Sequence, residues 1–105
     1  MAFSKAKLYD EQDQITAGFF RALGHPARLK IIERLKRHGP CTVFEICEEH
    51  PISDSSLSDH FEILREVQLI TYIERYPYII YSIVEKNLEI AERCINMFFK
   101  RLTEE

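Results

Sequence analysis

Glycine is scarce in this chain of 105 residues: Gly18, Gly24 and Gly39 are the only three, and they are too scattered to cradle a phosphate. No nucleophile stands in a catalytic setting. Ser58, Asp59 and His60 are helix neighbours rather than a triad, so the chain is not expected to be an enzyme. Cysteine is scarce too. Cys41, Cys47 and Cys94 form no CxxC pair and no even set, which fits reduced thiols in a cytoplasmic protein. No apolar run approaches the roughly 20 residues of a membrane span. Residues 1–14 hold no apolar signal core, so neither export nor a membrane partner is expected.

What is present suits one soluble globular domain over residues 1–105: 46% of the residues are hydrophobic and 30% charged. The net charge of −3 is unevenly spread. Residues 21–38 carry Arg21, Arg28, Lys30, Arg34, Lys36 and Arg37 against Glu33 alone. Residues 39–66 carry Glu45, Glu48, Glu49, Asp54, Asp59, Glu62 and Glu66 against Arg65 alone. Such an asymmetry bears on partners rather than on fold.

Apolar spacing and punctuation divide the chain. Ile15, Phe19, Phe20 and Leu23 predict a helix over about 10–23, broken by Gly24-His25-Pro26. A second helix, 26–38, carries Leu29, Ile31, Ile32 and Leu35 on one side and ends at Gly39-Pro40. Thr42 and Glu45 make a capping box for a short third helix, 43–49, stopped by His50-Pro51. Ser53 caps a fourth, from Asp54 to about Val67. "LITYIER" and "YIIYSIV" then predict a hairpin, 69–75 and 78–84. A last helix runs over 85–102. The fold class is mainly α with a small β-hairpin wing, ordered α-α-α-α-β-β-α: a helix-turn-helix over about 43–67 and a wing over about 69–84.

At this point the residues carry a family likeness. "ALGHPARLKIIERL" resembles the Leu-x-x-Pro-x-Arg-Leu-x-Ile opening of the ArsR-type winged-helix repressors. "ISDSSLSDHFEILREVQLI" is similar to their DNA-reading helix and its exit, and "YIIYSI" to their second wing strand. The resemblance covers about residues 19–84. It implies a homodimeric DNA-binding transcription regulator, most simply a repressor. The chain departs from the pattern at Asp59, often basic or amide-bearing in the family, at Glu62, usually lysine, and at a wing tip, Arg75-Tyr76-Pro77, lacking the usual glycine and basic cluster.

On a helical wheel Leu57, Phe61 and Leu64 share one arc of the fourth helix, extended by His60, Ile63 and Val67, while Asp54, Ser55, Ser58, Asp59, Glu62, Arg65 and Glu66 face away. The expected partner is double-stranded DNA, with the helix entering the major groove N-terminus first. The candidate contacts are Ser53, Ser55, Ser56, Ser58, Asp59, His60 and Arg65, with Arg75 and Tyr76 at the wing. Asp59 accepts from cytosine N4 where an arginine would bind guanine. Asp54 favours the helix start. Attraction to phosphate falls to Lys30, Arg34 and Arg37 on the second helix, with Lys5 and Lys7 as further candidates. Arg28 lies on the apolar stripe and is expected to be structural, paired to a carboxylate.

The terminal helices carry more apolar groups than a small domain covers: Ile15, Phe19, Phe20, Leu88, Ala91, Ile95, Phe98, Phe99 and Leu102. A two-fold interface between copies is expected there. No cofactor or metal is expected. The positions of the family's Cys-x-Cys pair are Thr42 and Phe44, and the last helix has no histidine. Two rival readings remain: a protein-interaction module using the acidic face, and a cysteine redox-responsive regulator built on Cys41 and Cys47. An effector, if there is one, is unknown.

Overall fold

The computed structural model describes residues 8–49 and 54–104, the side chains of residues 54 and 55 excepted. The elements run α1 (Glu11–Leu23), α2 (Pro26–His38), β1 (Cys41–Thr42), α3 (Val43–Glu49), α4 (Asp54–Glu66), β2 (Ile70–Arg75), β3 (Tyr78–Ile83) and α5 (Glu85–Leu102). The expected stop at His50-Pro51, the cap at Ser53, and Lys5 and Lys7 lie outside the described residues.

Local chemistry sets the helix ends. Asp10 Oδ1 accepts the Asp13 N–H at 2.8 Å and starts α1. His25 Nδ1 accepts the Ala27 N–H at 3.0 Å, with Pro26 in the first turn of α2. Gly39 ends α2 at φ 83° and ψ −170°, a conformation open to glycine and hardly to any other residue. The Thr42–Glu45 box is reciprocal: Thr42 Oγ1 accepts from the Glu45 N–H at 3.1 Å, and Glu45 Oε1 from the Thr42 N–H at 3.4 Å. α4 ends in a Schellman turn, with Leu69 N–H on Leu64 O at 3.2 Å and Gln68 N–H on Arg65 O at 2.9 Å. Gln68 takes the left-handed position there, at φ 60°.

The sheet has one strand more than the sequence suggested. β1 pairs with β3, Cys41 opposite Tyr81 and Thr42 opposite Ile80, so the strand order is β1-β3-β2 and antiparallel throughout. Two residues are too few to show an alternating pattern. Tyr81 faces inward, its ring centroid 4.4 Å from that of Phe61. Around them close Ile31, Leu35, Ile46, Leu57, Leu64, Leu69 and Ile70, joined by Phe19 and Ala22 from α1 and Ala91 and Cys94 from α5. Each large side chain so buried contributes roughly 1.5–3 kcal/mol. Leu29, expected on this inner stripe, instead stands 47% exposed.

Candidate nucleic-acid interface

The packing of α4 decides which of its groups face outward. Leu57, Phe61 and Leu64 are buried, whereas Ser56, Ser58, Asp59, Glu62, Arg65 and Glu66 are exposed along the opposite side. The chain therefore presents a short-side-chain, acid-bearing helix face to solvent. Ser53 lies outside the described residues, and Ser55 is placed on α4 by its backbone alone.

Arg65 is the cation of that face, and it is already engaged. Its Nη2 and Nε donate to the two Glu62 carboxylate oxygens at 2.6 and 3.0 Å. Its guanidinium also sits over the Tyr72 ring, 5.5 Å from the centroid. The hydrogen bonds from Arg65 hold the Glu62 carboxyl below its ordinary range. The pair ties α4 to β2 and leaves Arg65 with little net field to offer a phosphate.

Behind the face, Arg28 fixes how α4 meets the rest of the chain. It is buried, as the sequence suggested, but its partners are not carboxylates. Nε donates to Ala22 O at 2.6 Å and Nη2 to Arg21 O at 3.2 Å, two carbonyls at the negative end of α1. Nη1 lies 2.9 Å from His60 Nδ1. Guanidinium has no acceptor, so that contact requires His60 Nδ1 to be unprotonated. The His60 ring lies tilted against His25, with centroids 4.3 Å apart and an interplanar angle of 44°. Burial, then His25, then Arg28 lower the His60 pKa, with Asp59 opposing. His60, grouped above with the DNA-contacting residues, thus turns its Nδ1 inward; His25 and His60 both serve the helix junction.

The basic stretch of α2 is largely spent within the chain. Arg34 was expected on the solvent side; instead its side chain is 16% exposed and bridges to α3. Its Nε contacts both Glu49 oxygens at 3.1 Å, and its Nη2 lies 3.7 Å from Glu45. Lys30 pairs with Glu33 at 3.6 Å and Lys36 with Glu85 at 2.7 Å. Arg37 and Arg75 are exposed and make no ion pair among the described residues. Tyr76, at the wing tip, is 99% exposed. The charge asymmetry of the sequence is thus partly an internal bridge, basic α2 against acidic α3.

At the other end α1 and α5 pack together. Gln12 Nε2 donates to Cys94 Sγ at 3.2 Å, and Arg101 reaches Asp13 at 3.5 Å. Phe20 stands edge-on to Phe98 and Phe99, with centroids 5.6 and 6.2 Å away. Phe19 and Ala91, grouped by the sequence with the dimer face, are buried in the chain's own core. Leu88, Ile95 and Phe98 are half-buried. Ile15, Phe20, Met97, Phe99 at 55% and Leu102 at 65% remain open to solvent; Met97 stands about 160° around the helix from Phe99, on a different face, among Glu92, Arg93 and Lys100. Phe20, Phe99 and Leu102, around the half-buried Phe98, form an apolar surface with no cover of its own.

Among the described residues no group of three or more His, Cys, Asp or Glu is placed to hold a metal ion, and no helix is long and apolar enough to cross a membrane. Cys41 is buried, and that burial pushes its thiol up to about 11. It therefore stays protonated near neutral pH, which weighs against a redox switch built on it.

Comparison with known proteins supplies the context of this geometry. Residues 25–72 match the family described as "Bacterial regulatory protein, arsR family". The chain is 34% identical over 77 residues to the transcriptional repressor SdpR of Bacillus subtilis, covering 73% of this chain and 81% of that protein. It is 31% identical over 78 residues to a transcriptional repressor SmtB homolog of Synechocystis, covering 74% of this chain and 58% of that protein. Among solved structures, an ArsR-like transcriptional regulator from Rhodococcus superposes with a TM-score of 0.74 at 18% identity, over 89% of this chain and 87% of that one. NolR from Sinorhizobium fredii gives 0.67 at 27% identity, over 93% and 96%.

Proposed function

The chain belongs to the arsR family of bacterial regulatory proteins, DNA-binding transcription regulators rather than enzymes, and from that premise we propose that it acts as a homodimeric repressor. Two copies join through α1 and α5 and present two α4 faces to a two-fold-related duplex site. The observation that carries the dimer is the uncovered apolar surface of Phe20, Phe99 and Leu102, with the Phe20, Phe98 and Phe99 rings in edge contact; a surface of this kind is a costly thing to leave in water. The observation that carries the groove placement is the exposed run Ser56, Ser58 and Asp59 on α4. Side chains this short let the helix approach base edges closely, and half-sites would lie about 34 Å apart, one turn of DNA.

Arg37 at the end of α2 and Arg75 at the wing, with Tyr76 next to Arg75, supply the contacts to phosphate; Lys30 and Arg34 act through their ion pairs and contribute less. Few cations mean modest affinity that falls with salt. Fluorescence anisotropy with a selected duplex at two salt concentrations tests this. Saturable binding that weakens as salt rises supports the reading. Absence of binding to any duplex at low salt overturns it.

A further inference from the structure

We propose that Asp59 makes cytosine the required base at one position of each half-site. The inference rests on the groove placement of α4 and says what that placement reads. Asp59 is exposed on the serine-bearing face and makes no hydrogen bond or ion pair among the described residues. Its neighbours are committed: His60 Nδ1 to Arg28, and Glu62 with Arg65 to each other. The cation that would serve as a guanine-reading fork on this helix is therefore withdrawn, and the charged group left to meet the bases is a carboxylate.

A carboxylate is an acceptor only, so it needs a donor at the major-groove edge. Two bases offer one, cytosine at N4 and adenine at N6. Adenine N6 stands between two acceptors, its own N7 and the O4 of the paired thymine, and both repel a carboxylate. Cytosine N4 has an acceptor, guanine O6, on one side and a carbon-bound hydrogen on the other, so the carboxylate approaches from that open side. Guanine and thymine present only acceptors in this groove and are refused. The backbone that carries Asp59 is held from behind, since the Arg28–His60 contact ties the adjacent residue to the end of α1.

The test begins with selection of duplexes from a random pool by the full-length chain, followed by anisotropy titration of the best duplex. The wild type is expected to enrich a C·G pair at one position per half-site. Changing that pair to T·A should weaken binding about tenfold, the lower range for one base contact. Asp59→Ala should bind both duplexes within about twofold of each other. Asp59→Asn should shift the enriched base to adenine, because a carboxamide pairs with both N6 and N7. Circular dichroism of each variant checks the fold. Enrichment with no cytosine dependence, or Asp59→Ala and Asp59→Asn keeping the wild-type preference, overturns this inference and leaves the groove placement standing. No enrichment of any duplex overturns both.

Discussion

α4 and α5 are both amphipathic, and they differ in what they leave uncovered. α4 buries Leu57, Phe61 and Leu64 completely, and its exposed described residues are serines, acids and one paired arginine. α5 buries only Ala91 and Cys94 and shows water Met97, Phe99 and Leu102. A polar face is content in solvent and can wait for a polar partner; an apolar face needs a second apolar surface. On the proposal above, the two helices thus suit different partners, α4 a nucleic acid and α5 another copy of the chain.

The largest effect that sharpens this contrast is on stability. Phe61→Ala should cost about 3–5 kcal/mol in denaturant unfolding, because it opens a cavity against Tyr81. Phe99→Ala, at a half-exposed site, should cost well under that within one chain and act chiefly on self-association. Equal losses from the two would erase the distinction between the helices. Next comes Ser58→Glu, which sets a long anion in the proposed groove. Binding to a selected duplex should weaken on the order of tenfold to a hundredfold while the sedimentation coefficient stays unchanged.

A smaller effect concerns the joint between α4 and the wing. Gln68 occupies a left-handed position at φ 60°, where a Cβ costs about 1–2 kcal/mol. Gln68→Gly should therefore stabilise the fold by about 1 kcal/mol, less whatever the freer unfolded chain takes back. The smallest effect is a slope with pH. The folded His60 pKa lies below its ordinary 6.5, so the unfolded chain binds the proton more readily. Stability from this group is present above 6.5 and falls as pH drops from there toward the folded value. His60→Asn keeps an acceptor for Arg28 without the titration, and unfolding measured from pH 7 to 5 should be flatter in that variant.

Much of this was legible beforehand because it is written locally. Pro26 marks the start of α2 by its fixed backbone, Gly39 and the Thr42–Glu45 box mark helix ends through bonds to residues at most four positions away, and the buried arc of α4 follows from a period of 3.6 residues. Less legible was whatever depends on two elements meeting. Arg28 was recognisable as buried, yet its partners are main-chain carbonyls, which any residue supplies. Arg34 has the spacing of a solvent-facing cation, and only the docking of α3 brings Glu45 and Glu49 to it. Phe19 and Ala91 share a periodicity with the open apolar surface, and the pairing of α1 with α5 alone decides that they lie within the chain.

Sedimentation velocity of the full-length wild type beside a Phe99→Glu/Leu102→Glu variant is the most direct test of the α1–α5 surface. The wild type should sediment at twice the 12.5 kDa chain mass and the variant at 12.5 kDa, with both equally helical. A wild type that sediments as one chain, or a variant that stays paired, would contradict the account.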